Sequence, residues 1–371
     1  MNIRLTLKGG RPLYIAVASI VFLFLGYANP GRAQSDQYPK FNFVGMFQPR
    51  ISYGIAEDST TSAYRFGFGI RRARLRLEAR LMEKLGVRYN VGFARGPVRS
   101  IDLFTFYQLS NEVRIRMGIM ASAMPRSRNL TSSRLLDGID RAVIAEQWGR
   151  VTIGGSGRDF GVDMQYQVPE WTAILFLHNG DGSFDGSRGN YSQSISNEAA
   201  TGGISRSILA TSFYLSHRLP SLVGVEIGGF LSQNTSKNPN TASESGEGRD
   251  YVSYAAHVYY GAEPGSQPVR LKLDFIGINF KGEEEEEWKG VSILGAVRLK
   301  DHMELFARYE NAQKGIQLDG TQFLSGGLIY SISKLNGGNY SDQRATLGYS
   351  MLDSFTGKLQ HLIVLQWQFV F

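Results

Sequence analysis

Residues 71–81 read Arg-Arg-Ala-Arg-Leu-Arg-Leu-Glu-Ala-Arg-Leu, and their alternation decides the fold class. In an extended strand, successive side chains point to opposite faces. Ala73, Leu75, Leu77, Ala79 and Leu81 then share one face, and Arg72, Arg74, Arg76, Glu78 and Arg80 share the other. One face needs an apolar surrounding, while the other carries four guanidiniums that need water or anions. A helix is the competing reading, because Arg, Leu, Ala and Glu are good helix formers. A helical period would scatter the arginines around the axis, however, and the neighbouring segments repeat the two-residue alternation. An oily face backed by a cationic one suits the wall of a closed barrel in a membrane, with lipid outside and water within.

Working outward, sixteen segments read as strands: 41–53, 64–82, 86–94, 101–109, 112–120, 158–167, 171–179, 203–217, 222–231, 251–260, 269–280, 290–299, 303–311, 321–333, 342–351 and 359–371. Several show two clean faces. Val113, Ile115, Met117 and Ile119 oppose Arg114 and Arg116. Val269, Leu271, Leu273 and Phe275 oppose Arg270, Lys272 and Asp274. Met303, Leu305, Ala307 and Tyr309 oppose Glu304, Arg308 and Glu310. Phe66, Phe68 and Ile70 sit on the opposite parity from Leu75 and Leu77. A bulge near Ile70, or a strand end projecting beyond the membrane, would account for that. Short and long connections alternate along the chain, as turns on one rim and loops on the other require. The expected fold is all-β: a transmembrane antiparallel barrel of about sixteen strands.

Met1–Ala33 reads as a secretory leader. Arg4, Lys8 and Arg11 precede an apolar run from Leu13 to Tyr27, which is shorter than the ~20 residues that span a bilayer. Gly31-Arg32-Ala33 places small residues before a cut at Gln34, leaving 34–371 as the barrel. Four basic residues and no acid leave with the leader, so 36 basic residues face 33 acidic ones, a balance of +3. Overall charge therefore gives no argument for nucleic acid. With no cysteine, neither disulfides nor thiolate chemistry is available. The 43 glycines and the 22 Phe, 18 Tyr and 4 Trp suit turns, strands and membrane interfaces.

The candidate site is electrostatic and needs no cofactor or metal. Arg72, Arg74, Arg76 and Arg80 on one strand, Arg88 on the next, and Arg114 and Arg116 further round should face the lumen. Guanidiniums suit phosphate and carboxylate, and basic pores favour anions. A solvated wall that is incidentally basic is the alternative. Ala121–Gly157 is too long for an idle loop. It carries Arg126, Arg128, Arg134, Arg141 and Arg150, with Ser127, Thr131, Ser132 and Ser133 among them, a set able to form an anion-binding constriction if it folds inward.

Leu130-Thr131-Ser132-Ser133-Arg134, followed by Asp140-Arg141-Ala142, resembles the inward third loop of the phosphate-selective O/P-type porins. Ile70-Arg71-Arg72-Ala73-Arg74-Leu75 resembles their F-R-R-A-R-L strand, and Arg158-Asp159-Phe160-Gly161-Val162 their G-R-D-I-G-V strand start. The resemblance implies a sixteen-stranded, trimeric, anion-preferring pore in the bacterial outer membrane. Before the loop, where that family has a G-Q-F-K-x-P-F-like run, this chain reads Gly118-Ile119-Met120-Ala121-Ser122-Ala123-Met124-Pro125. The lysine is missing, and Arg126 and Arg128 are the nearest cations. Ile363, Leu365, Trp367, Phe369 and Phe371 share a face at the C-terminus, which resembles the terminal-aromatic signal read by the barrel-assembly machinery.

Other signals are weaker. Asp181-Gly182-Ser183 and Asp185-Gly186-Ser187 read as tight turns before calcium ligands. The acids 283–287 read as a solvated loop before a divalent-ion bridge to lipid phosphate. His178, His217, His257, His302 and His361 show no metal spacing, and no G-x-S-x-G elbow occurs. The rivals to an anion channel are a non-selective general porin, a barrel enzyme, and a structural or adhesive barrel that binds partners through loops such as 232–250.

Overall fold

The computed structural model describes residues 38–57, 62–94, 96, 98–153, 157–180, 209–235, 250–280, 286–314, 321–353 and 359–371. The leader with its cut, the Asp-Gly-Ser turns, acids 283–285 and most of 232–250 lie outside the described residues. Sixteen strands close into one barrel. They are β1 Lys40–Glu57, β2 Ser62–Arg80, β3 Leu85–Gly92, β4 Arg99–Gln108, β5 Val113–Met120, β6 Asp159–Gln167, β7 Trp171–His178, β8 Ala210–Arg218, β9 Val225–Thr235, β10 Asp250–Tyr260, β11 Val269–Phe280, β12 Glu286–Lys300, β13 Met303–Lys314, β14 Thr321–Ser331, β15 Gln343–Asp353 and β16 Leu359–Val370. Each pairs antiparallel with its neighbours in the chain, and β1 pairs with β16 to seal the cylinder. At that seam Gln48 Nε2 donates to Gln368 Oε1 at 2.6 Å, across 320 positions. Gly45 N–H donates to the Phe371 carbonyl at 2.6 Å, and the Gly45 carbonyl accepts from Phe371 N–H at 3.1 Å.

The two-faced pattern holds on the wall. On β11, Leu271 and Leu273 are exposed to the outside, while Arg270, Lys272 and Asp274 are buried within. On β13, Leu305 and Tyr309 are exposed, and Glu304, Arg308 and Glu310 are buried. A closed ladder satisfies its backbone groups internally, and an apolar exterior then matches lipid.

The parity break on β2 is a bulge. Gln48 faces Arg72 and Pro49 faces Ile70, so Arg71 is the extra residue. A bulge places two residues opposite one and redirects side chains. Here it turns both Arg71 and Arg72 inward, towards Asp140. Ile70, Phe68 and Phe66 keep the outward face. Ile119, expected outside, is buried instead. The cause is Gly118 at φ +138°, where a Cβ would lie 2.3 Å from the Leu103 carbonyl oxygen, so only glycine turns the strand there.

Strand ends differ from the sequence reading mainly at the long-loop rim. Pairing runs on to Glu57 and starts again at Ser62, beyond the expected 53 and 64. At the other rim β14 stops at Ser331, and a short helix, Ile332–Leu335, fills what 321–333 would have continued as strand. The Ser331 side chain accepts from Lys334 N–H and starts that turn.

Candidate functional site

The segment between β5 and β6 builds the site. It contains one regular helix, α1, Val143–Val151, with Ile144, Ala145 and Trp148 buried on one face. Those residues pack against Phe230, Tyr251, Ile276, Ile278 and Trp288, which come from β9 to β12. Trp148 Nε1 donates to Ser253 Oγ at 2.7 Å. The helix lacks a side-chain cap of its own. Instead Ile144 N–H donates to Glu310 Oε2 on β13 at 3.1 Å, which sets a carboxylate at the positive end of the helix. Two lumen-facing glycines admit the segment. A Cβ on Gly290 would lie 2.7 Å from Ile144 Cγ2, and one on Gly348 would lie 2.6 Å from Ile139 Cδ1.

Charges fix the rest of the segment. Asp137 pairs with Arg270 and with Lys272, the latter at 2.6 Å. Burial works against ionising Asp137, but Lys272 and Arg270 outweigh it and hold its carboxyl down at about 2. Asp140 shows the same contest: burial opposes its charge, and Arg71 and Arg72 prevail to lower its pKa. Arg71 Nε lies 2.5 Å from Asp140 Oδ1. Arg344 donates to the Leu136 carbonyl at 2.7 Å, and Arg308 to the carbonyls of Asp140 and Arg141 at 3.1 and 3.2 Å. All these partners project from the inner wall, so the segment lies against the inner face of strands β9 to β15 and of β2.

The arginines singled out from the sequence fall into two groups. Most of the first group are neutralised. Arg88 pairs with Glu78 and lies over Phe104. Arg116 pairs with the fully buried Asp163, which also accepts from Ser122. Arg126 meets Glu226 at 2.8 Å, and Arg128 meets Glu146 at 2.5 Å. Arg72 donates to Gln48 at 2.9 Å and is 3.6 Å from Asp140. Arg141 donates to the carbonyls of Arg128 and Thr131 and to Ser133 Oγ, tying the segment to itself. Burial and then Arg72 and Arg128 push its pKa well down.

The second group carries its charge more openly. Arg74 Nη1 donates to Ser133 Oγ at 3.1 Å, and neither Arg74 nor Arg76 has an ion pair among the described residues. Arg114 donates to Gln108 at 2.8 Å, lies over Phe106, and has no ion pair there either. Arg134 is 3.8 Å from Asp342 and about half-exposed, and Arg80 is exposed at the end of β2. Ser132 accepts from Arg134 N–H and so shapes the turn.

Two cavities run past this group. The larger, about 890 Å³, is lined by Arg71, Arg72, Arg74, Arg99, Arg128, Arg141, Arg150, Arg158 and Arg308, against the carboxylates of only Asp140 and Glu146. The smaller, about 320 Å³, is lined by Arg74, Arg76, Asn90, Ser132, Ser133 and Arg134. Arg74 and Ser133 therefore stand where the folded-in segment meets the arginine strand, and Arg74 borders both spaces. Sequence reading missed Arg71, whose inward turn depends on the bulge, together with Arg99 and Arg158, whereas Arg150 of the inserted segment lines the larger cavity as its place in that segment suggested. Arg158 and Asp102 pair at 2.5 Å.

A second polar cluster lies away from both cavities. His178 Nδ1 is 2.6 Å from Asp159 Oδ2, its Nε2 is 2.8 Å from Ser212 Oγ, and Ser212 donates to Ser232 at 2.8 Å. The order Asp–His–Ser has the connectivity of a hydrolase triad. All four side chains are buried, however, and they bridge adjacent strands β6 to β9. The histidine spacing in the sequence gave no sign of this, because the partners meet only across the sheet.

No family model matches the chain, and no curated protein matches it. Solved structures do. An anion-selective porin from Comamonas acidovorans aligns at a TM-score of 0.64 and 14% identity, covering 90% of this chain and 100% of that one. Salmonella typhi OmpF, solved with daunomycin, aligns at 0.59 and 11%, covering 89% and 98%. Vibrio cholerae OmpT, an outer-membrane protein, aligns at 0.56 and 10%, covering 91% and 99%. The chain thus has the porin fold, a closed antiparallel barrel of the bacterial outer membrane.

Proposed function

We propose that this barrel is a passive diffusion channel that admits small anions, carboxylates and phosphate among them. The observation that carries the reading is the position of Arg74. It borders both cavities, and among the described residues its guanidinium donates only to the Ser133 hydroxyl, so its charge stays available to a solute. Arg99 and Arg150 in the larger cavity and Arg76 in the smaller, none of them ion-paired among the described residues, extend the same track. An anion about 4 Å from one guanidinium gains about 4 kcal/mol at an effective dielectric near 20. Lost hydration offsets much of that, so an anion enters readily and still leaves, as conduction requires. A homotrimer, with its C-terminal strand handled by the assembly machinery, belongs to the same proposal. Outward Phe66 and Phe68, at 69% and 79% exposure, support a protein neighbour on that side.

The test is a planar-bilayer recording in a salt gradient. The reversal potential is expected to carry the sign of anion preference, and added phosphate should reduce chloride current. A cation-signed or vanishing reversal potential would overturn the proposal.

A further inference from the structure

The larger cavity is not uniformly charged. Besides its arginines it is lined by Ile139 of the inserted segment, Phe306 of β13, Phe323 of β14, and Leu362 and Val364 of β16. These side chains share the inward parity of their strands, since Leu305, Leu324 and Ile363 next to them are the exposed, outward ones. The strand order β14-β15-β16-β1-β2-β3-β4 sets this apolar arc beside the arginines of β2 and β4. Arg308 is the one arginine on the apolar side. Its guanidinium is occupied by two backbone carbonyls and by Glu310, 2.9 Å away, and lies 5.6 Å from the Phe323 ring centroid.

A path for small inorganic anions gains nothing from apolar inner walls, since phosphate and chloride keep water around them. A solute with a carboxylate at one end and an apolar body at the other meets both surfaces at once. Its carboxylate reaches guanidiniums, and its body covers Phe323 and Leu362 and releases water. We infer that the passage is shaped for amphiphilic organic anions, aromatic carboxylates in particular. This rests on the anion reading above and narrows its solute class.

Benzoate and acetate separate the two ideas, since they share a carboxylate and differ in the ring. With either as the only anion opposite chloride, the bi-ionic reversal potential gives its relative permeability. At lower concentrations, transient block of chloride current gives its dwell. Benzoate should block at concentrations about three- to ten-fold lower than acetate. In the Phe323→Ser, Leu362→Ser double variant that ratio should fall to about one, with anion preference retained. In Arg74→Gln both carboxylates should weaken together. A wild-type channel that prefers anions but is blocked equally by benzoate and acetate would overturn this inference alone. A channel without anion preference would overturn the parent proposal.

Discussion

Arg74 Nη1 lies 3.1 Å from Ser133 Oγ, so the arginine strand and the inserted segment meet through a hydroxyl and not through a carboxylate. Arg116, two strands further round in chain order from β3, meets the buried carboxylate of Asp163 instead. The two arginines look alike in sequence, but one keeps its charge for the lumen and the other does not.

Replacing Arg74 and Arg76 by Gln should lower the anion-to-cation permeability ratio while leaving an open, folded channel. Neither residue has an ion pair among the described residues, so no buried carboxylate is orphaned. The reversal potential in a salt gradient checks this, and unchanged selectivity would remove both residues from the path.

Arg116→Gln should behave differently. Losing one partner of a buried pair leaves an uncompensated charge, at a cost of about 3–5 kcal/mol. Denaturant unfolding of the barrel should show that loss, with selectivity close to wild type. A large selectivity change at full stability would return Arg116 to the conduction path.

Gly290→Val and Gly348→Val should dislodge the inserted segment. Each adds atoms where Ile144 or Ile139 already sits, within 2.7 and 2.6 Å of the new Cβ. Overpacking of this kind costs about 1–3 kcal/mol. Single-channel conductance should rise or become noisy while the folded barrel keeps its compact electrophoretic mobility. Unaltered conductance in both variants would mean that the segment does not limit the passage.

Much of this was legible in the sequence. Alternation on β11 and β13 reported the two faces directly, because lipid and water sort side chains with period two. The parity break before Leu75 pointed to the bulge. What sequence could not show was which charges cancel. Asp137 lies 133 positions from Arg270, and Glu310, 166 positions from Ile144, caps a helix that has no capping residue of its own. Those pairings exist only once the barrel has closed around the segment.

The tether at Asp137 gives a pH prediction. Its carboxyl is held below the ordinary 3.8, at about 2, so the tether's contribution is complete above the ordinary value and fades as pH falls through about 2. Channel conductance should therefore be unaffected by this group from pH 7 to pH 4 and change only in strong acid. Asp137→Asn should show the acid-type conductance at pH 7. Identical traces for the two proteins at every pH would sink the assignment.

Ser212→Ala tests the buried Asp159–His178–Ser212 chain. A structural role predicts a loss of about 1–3 kcal/mol from the stranded His178 nitrogen. Conductance should not change, and neither protein should hydrolyse ester substrates. Hydrolysis by the wild type that disappears in the variant would make this cluster a catalytic centre.

The seam between β1 and β16 carries a kinetic consequence. Gln48 and Gln368 are joined across 320 positions, so this contact spans nearly the whole described chain. Contacts of such separation carry a large loop-closure entropy and form slowly. Throughout that interval the first and last strands are bare edges, open to pairing with any other unfinished sheet. Any surface that covers those two edges before the cylinder shuts would keep them from pairing with the wrong sheet.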